Sequence, residues 1–237
     1  MHGLRKECHL PQLGRIVPAI GDADTYRPGL PETFAANIFD VPAQMEMSER
    51  LLLVALIIGL QPENVLEIGV SHGGSSALIV HAMDCIGKGQ LFGIDPEPQV
   101  SDELAQSIAH RNHVFRGRSP MAISAIAQKA NAPFDFAFID GDHSNQGVVD
   151  DIEGVLTYLA DSAYLLLHDA YFYEVREAID ASIRQHSDVL QDCGILTHSP
   201  VRWSGYLDEA DTIRFGGLRL LVFSRAGFLD QSDSHTD

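Results

Sequence analysis

The chain has 237 residues, of which 45% are hydrophobic, with 33 Asp and Glu against 16 Lys and Arg for a formal charge of −17. That length and balance fit one large globular domain whose interior needs neither disulfides nor a structural metal. The acidic excess repels phosphate backbones and anionic lipid, so neither nucleic acid nor a membrane surface is an expected partner.

Residues 1–35, with Pro11, Pro18, Pro28 and Pro31, resist any long element and read as an irregular arm. The arm lies over the domain or against a partner subunit, which makes a homo-oligomer an expectation. No signal peptide is legible at the start, and the longest apolar run, residues 51–60, is too short to span a bilayer. Cys8, Cys85 and Cys193 lie far apart and match no zinc or redox spacing. A cytoplasmic setting with reduced thiols is the simplest expectation.

A helical pattern over residues 46–60 is broken at Pro62, and a strict alternation of strand, turn and helix follows. Apolar runs at 65–68, 91–94, 134–139 and 163–167 end at Gly69, Asp95, Asp140 and His168-Asp169, with a weaker strand at 113–115. Helices are expected over 75–85, 101–110, 120–130, 145–159 and 174–186, and two further strands near 189–196 and 218–223. This order predicts a mostly parallel α/β sheet covered on both faces, with the last strand antiparallel. One domain spans 36–227, and the acidic tail 228–237 reads as disordered.

In open α/β sheets ligands bind beyond the carboxyl ends of the strands, where this sequence gathers its polar groups. Glycines in Gly69-Val70-Ser71-His72-Gly73-Gly74 permit a sharp turn and close approach to a ligand, although the turn matches neither the dinucleotide fingerprint nor a P-loop. Asp95, about one β-α-β unit later, suits the hydroxyls of a ribose. Asp140 and Asp169 are hard oxygen donors suited to Mg²⁺ or Mn²⁺, and His143 has a ring nitrogen that accepts protons near neutral pH. Read blandly, Asp140 or Asp142 caps the next helix and His143 is a surface histidine.

The segments VLEIGVSHGGSS (65–76), LFGIDP (91–96), FDFAFIDGDHS (134–144) and LLLHDA (165–170) resemble class I S-adenosylmethionine-dependent methyltransferases, in family order over about residues 45–225. The resemblance implies a Rossmann-like three-layer sandwich with a seven-stranded sheet and S-adenosyl-L-methionine across the first strand ends. Glu67, Gly69 and Ser71 would lie around the methionine portion, Asp95 at the ribose and Ser119 near the adenine. FIDGDHS is similar to metal-dependent O-methyltransferases acting on small molecules, including sugars in natural-product pathways. That likeness implies Asp140 as a ligand shared with the cofactor site, Asp169 as a second ligand, His143 as general base and Mg²⁺ as the expected ion. The family usually sets another acid or amide beside Asp169, where this chain has His168 and Ala170; His168 reads as a packed histidine beside the ligands.

Three other readings remain open at this point. One is a metal-free or nitrogen-directed methyltransferase, and another a cofactor-binding protein without turnover. The third is an α/β-hydrolase, in which Ser71 of G-V-S-H-G is the nucleophile and Asp140 or Asp169 and His198 follow in chain order. Trp203 and Tyr206 line an acceptor pocket or pack against the arm. Arg202 and Arg214 bind an acidic substituent or are solvated.

Overall fold

The computed structural model describes residues 40–198, 201–203 and 213–228 together with Ile38. The expectations for the arm, for Tyr206 and for the tail beyond Phe228 lie outside these residues, as do those for the side chains of Arg202 and Trp203.

Helix α1 (Met47–Leu60) begins with a capping box in which Glu46 and Glu49 exchange side-chain and backbone contacts, and it stops at Gln61 in the left-handed conformation. Then follow β1 (Asn64–Ile68), α2 (Gly74–Ile86), β2 (Gln90–Asp95), α3 (Asp102–Ile108) and β3 (Asn112–Arg116). Next come α4 (Ile123–Ala130), β4 (Phe134–Ile139), α5 (Asn145–Leu156), β5 (Leu159–Leu167) and α6 (Tyr173–Gln185). The last described elements are β6 (Leu190–Ile195), β7 (Val201–Trp203), β8 (Ile213–Phe215) and β9 (Arg219–Ser224). Among the described residues these strands form a seven-stranded sheet, ordered β3-β2-β1-β4-β5-β9-β6, and a two-stranded β7–β8 ribbon.

The first five strands in that order pair parallel, whereas β9 runs antiparallel to both β5 and β6. Strand alternation splits the core between the two faces of the sheet. Leu66, Ile68, Phe134 and Leu165 pack with residues of α4, α5 and α6. Val65, Phe136, Phe138 and Leu166 pack with residues of α1, α2 and α3. Strand order reverses between β1 and β4, so the crevice of a doubly wound sheet opens beside Gly69 and Asp140.

The departures from expectation are local. Helix α5 ends three residues early because β5 already begins at Leu159, whose pairing with Phe134 precedes a register shift. Helix α4 starts at Ile123, after turns that contain Pro120. The β7–β8 ribbon was not anticipated, since three residues per strand carry no readable period.

Candidate active site

A cavity of roughly 630 Å³ lies along the carboxyl ends of β1, β2 and β4, within the range of small-molecule sites (~300–1,000 Å³). Gly69 opens its turn with φ +93°, and a Cβ there would fall 1.9 Å from the Asp140 carbonyl oxygen. Only glycine lets β1 turn this close to the end of β4. Asp95 Oδ2 accepts the N–H groups of Val70 at 2.9 Å and Ser71 at 2.8 Å, while Oδ1 accepts the Glu97 N–H. Asp95 is therefore buried beneath the glycine turn while also lining the cavity. Two lone pairs per oxygen leave Oδ1 one acceptor position for a ligand hydroxyl.

Gly69, Ser71, Asp95, Ser119, Asp140, His143 and Asp169 all line this one cavity; Glu67 does not. Alternation along β1 turns Glu67 to the α1–α2 face, where Oε1 accepts from the Ser75 hydroxyl at 2.5 Å and Oε2 accepts from the Ser76 hydroxyl. Complete burial raises this carboxyl to about 7, against the partial relief of those two hydroxyls. Glu67 ties β1 to the first turn of α2 and is set back from the ligand space.

At the β4 and β5 ends, His143 Nε2 lies 2.7 Å from Asp169 Oδ2 and 3.5 Å from Asp140 Oδ1. The Asp140 and Asp169 carboxylates raise the imidazole to about 10. The histidine is consequently protonated at neutral pH while both carboxylates face it, in contrast to the free imidazole assumed from sequence. Asp169 takes the left-handed conformation at φ +53°, unusual for a non-glycine residue, and its Oδ1 accepts the Gly216 N–H. Burial works to raise Asp140 and Asp169, but the surrounding histidines hold both below the usual carboxylate range. Neither Asp140 nor Asp142 caps α5; the Ser144 hydroxyl accepts the Gly147 N–H there.

One oxygen each from Asp140 and Asp169 and one nitrogen of His143 lie within 4.8 Å of one another. Nε2 is buried without a hydrogen bond of good geometry, despite its short approach to Asp169. The two carboxylates are hard oxygen donors of the kind a divalent cation takes, and His143 stands beside them.

Two buried carboxylates escaped the sequence reading. Glu49 of α1 is 1% exposed; its Oε2 lies 3.2 Å from His168 Nε2 and its Oε1 accepts the Gly217 N–H at 2.5 Å. His168 Nδ1 then reaches Asp140 Oδ1 at 3.1 Å, so a buried chain Glu49–His168–Asp140 links α1 to the cavity. Burial alone lowers the His168 ring, but the carboxylates around it hold it well above its ordinary value. The second is Asp151 of α5, 3% exposed and lining the cavity. Helical spacing marks both, since Glu49 shares a face with Leu53 and Ile57, and Asp151 with Val148 and Val155.

The cavity wall also includes Pro42, Ala43, Gln44 and Met45. Arg50 ties this segment down by donating to the carbonyls of Ile38, Val41, Ala43 and Met45. The hydrolase alternative fails on topology, because β1, which delivers Ser71, is the first described strand and lies next to the strand-order reversal. Among the described residues the Ser71 hydroxyl meets only its neighbour, His72 Nδ1, at 3.1 Å, and His198 is exposed.

Residues 66–170 match the family model described as a methyltransferase domain. The chain is similar in fold to the O-methyltransferase TomG of Streptomyces achromogenes, involved in tomaymycin synthesis and solved with S-adenosylmethionine. The two share 16% identity and a TM-score of 0.58, over 83% of this chain and 91% of that one. An O-methyltransferase from Bacillus cereus in complex with S-adenosylhomocysteine is similar at 16% identity and TM-score 0.54, over 84% and 94%. The S-adenosylhomocysteine-bound methyltransferase PaMTH1 of Podospora anserina is similar at 14% identity and TM-score 0.56, over 90% and 100%. A comparison with curated proteins finds no match. Residues 66–170 are thus similar to a methyltransferase domain, and the fold is that of the class I S-adenosylmethionine-dependent methyltransferases. Within that class the protein resembles the small-molecule O-methyltransferases.

Proposed function

We propose that the enzyme transfers the sulfonium methyl group of S-adenosylmethionine to a hydroxyl of a small acceptor, a sugar or natural product. Asp140 and Asp169 would hold a divalent cation, Mg²⁺ or Mn²⁺, and His143 would receive the hydroxyl proton. One observation carries this reading: Asp140 lines the cavity of Gly69 and Asp95 and also faces His143 and His168. Donor pocket and proton-handling groups thus meet at one residue.

The acceptor oxygen attacks the methyl carbon in line with its bond to sulfur. As the C–O bond forms, the C–S bond breaks and its electron pair stays on sulfur, giving a neutral thioether. The hydroxyl proton passes to His143 Nε2. Positioning supplies most of the acceleration, since the reaction needs alignment and exclusion of water more than covalent help. A bound divalent cation supplies Lewis acidity that lowers the pKa of a coordinated hydroxyl. Asp140 and Asp169, if committed to that cation, would no longer hold the proton on His143, leaving its Nε2 free to accept one. The likeness to TomG and to the Bacillus cereus enzyme supports oxygen as the methylated atom.

A metal-free variant has one observation behind it, the 2.7 Å approach of His143 Nε2 to Asp169 Oδ2. Calorimetry with Mn²⁺ and with S-adenosylhomocysteine separates the two. Asp140→Asn and Asp169→Asn are expected to lose Mn²⁺ binding and at least ~100-fold in methyl transfer, while S-adenosylhomocysteine affinity changes less than about threefold. Full turnover by chelator-treated wild-type enzyme would refute the role of the cation.

A further inference from the structure

Residues 40–46 form no helix or strand, yet they bring Pro42, Ala43, Gln44 and Met45 to the cavity wall. Backbone carbonyls outside regular structure need partners from elsewhere. One side chain here supplies four of them. Arg50 Nε donates to the Met45 carbonyl at 3.0 Å, Nη1 to those of Ile38 and Val41 at 3.2 Å each, and Nη2 to that of Ala43. The planar fork of a guanidinium offers donors in several directions at once, which a lysine ammonium does not. Packing fixes the two ends of the segment, since Ile38 and Met45 are buried in the core that includes α1 and α2. Between those ends Pro42 and Gln44 are exposed, and the clasp holds the bow to α1. The bow lies directly on the first residue of α2: a Cβ on Gly74 would fall 2.3 Å from the Ala43 Cα and nitrogen.

We propose that Arg50 is a positioning residue for the methyl donor, and that the strap of residues 41–45 it clasps sets how fast the cavity exchanges its ligand. The assignment rests on the methyl-donor reading of the cavity. Strap residues line that cavity together with Gly69, Ser71 and Asp95, so a ligand seated on the glycine turn has the strap as one wall. Arg50 itself does not line the cavity, and its effect passes through the four carbonyls. Without the guanidinium those carbonyls turn to water and the bow gains open conformations, in which the ligand loses that wall. Local opening of this kind costs far less than unfolding the domain, and opening steps of cavity walls commonly limit ligand release. One helical turn thus serves both sides of the site. Glu49 reaches inward to His168 and Gly217, and Arg50 reaches outward to the strap.

The test times the release of tritiated S-adenosylhomocysteine, chased from the full chain by excess unlabelled compound. Arg50→Met keeps an unbranched stem but no donor, and its release is expected to quicken at least ~10-fold. Melting and circular dichroism of the ligand-free variant establish that it is folded. Arg50→Lys restores a charge that reaches fewer carbonyls than the fork does, so its release is expected between the two, at least ~3-fold above wild type. This milder variant decides the question where the methionine variant does not fold. Hydrogen exchange adds a readout that a purely structural role would not move: S-adenosylhomocysteine should slow exchange in the strap of wild type, and do so less in Arg50→Lys. A wild-type release rate in either folded variant overturns the assignment, as does strap exchange in wild type that ignores the ligand. Failure of wild type to bind S-adenosylhomocysteine at all overturns the methyl-donor reading of the cavity, and the assignment with it.

Discussion

Replacing Glu67 by Gln removes a charge that the fold handles poorly, and the consequence has a defined pH signature. Glu67 is 0% exposed, and its carboxyl ionises at about 7 in the folded protein against 4.5 for the free group. Over that window the folded state keeps a proton that the unfolded chain has released, so stability falls as pH rises from 4.5 to about 7 and levels off above. The loss amounts to about 3 kcal/mol. The amide of Glu67→Gln carries no charge and so does not contribute that loss, although one of its ends meets Ser75 or Ser76 less well, at a cost of about 1 kcal/mol. Urea unfolding of the cofactor-free protein between pH 5 and pH 8 measures the difference, since other titrating groups cancel between the two proteins. The variant is expected to be slightly less stable at pH 5 and about 2 kcal/mol more stable at pH 8. A stability difference that does not change with pH would refute the argument.

Asp95→Ala strips the Val70 and Ser71 N–H groups of their shared acceptor. It is expected to weaken S-adenosylhomocysteine binding by at least ~100-fold, measured by calorimetry, with a retained circular dichroism spectrum showing that the sheet persists. Glu49→Ala leaves the Gly217 N–H unpaired and His168 without its partner on α1. Chemical denaturation at pH 7 should show a loss of about 3–5 kcal/mol, and a loss under ~1 kcal/mol would mean that the buried chain from α1 to Asp140 is not part of what holds the fold together.

Much of the sheet was legible because each parallel strand is a continuous apolar run that stops at a polar residue, and those stops are the site. Gly69, Asp95, Asp140 and Asp169 could be ordered along one rim from the alternation alone, and the structure brings them to one cavity. Glu67 shows the limit of that logic. Lying two residues before Gly69, it was assigned to the ligand space, but the period of two along β1 points it at α2. Glu49 and Asp151 failed to stand out because a helix reading attends to the apolar stripe, whereas the informative residue is the charge within the stripe. Residue type marks His143 as a candidate for proton handling, but its shift to about 10 depends on two carboxylates 29 residues apart in sequence, and only the fold makes them neighbours.

The glycine turn also explains why this crevice suits a sulfonium donor better than the phosphate-bearing nucleotides that occupy the same place in related sheets. A pyrophosphate is normally received by free backbone amides of the turn and of the following helix. Here the Gly69 N–H is given to the Ile94 carbonyl, the Gly73 N–H to the Val70 carbonyl, and those of Val70 and Ser71 to Asp95. The anion position is thus already filled by a carboxylate of the chain itself. Among the described residues Asp95, Asp140, Asp142, Asp150, Asp151 and Asp169 line the cavity against Arg118 and the cationic His143 and His168, so carboxylates outnumber cations and a second anion meets repulsion. S-adenosylmethionine brings a ribose and a purine without any phosphate, and its sulfonium adds a positive charge that this wall attracts. Methyl transfer removes that charge, so the same carboxylates favour the donor over its own product. The side chain that fills the turn and the charge of the wall therefore work in one direction, toward binding the reactive cation and releasing the neutral thioether.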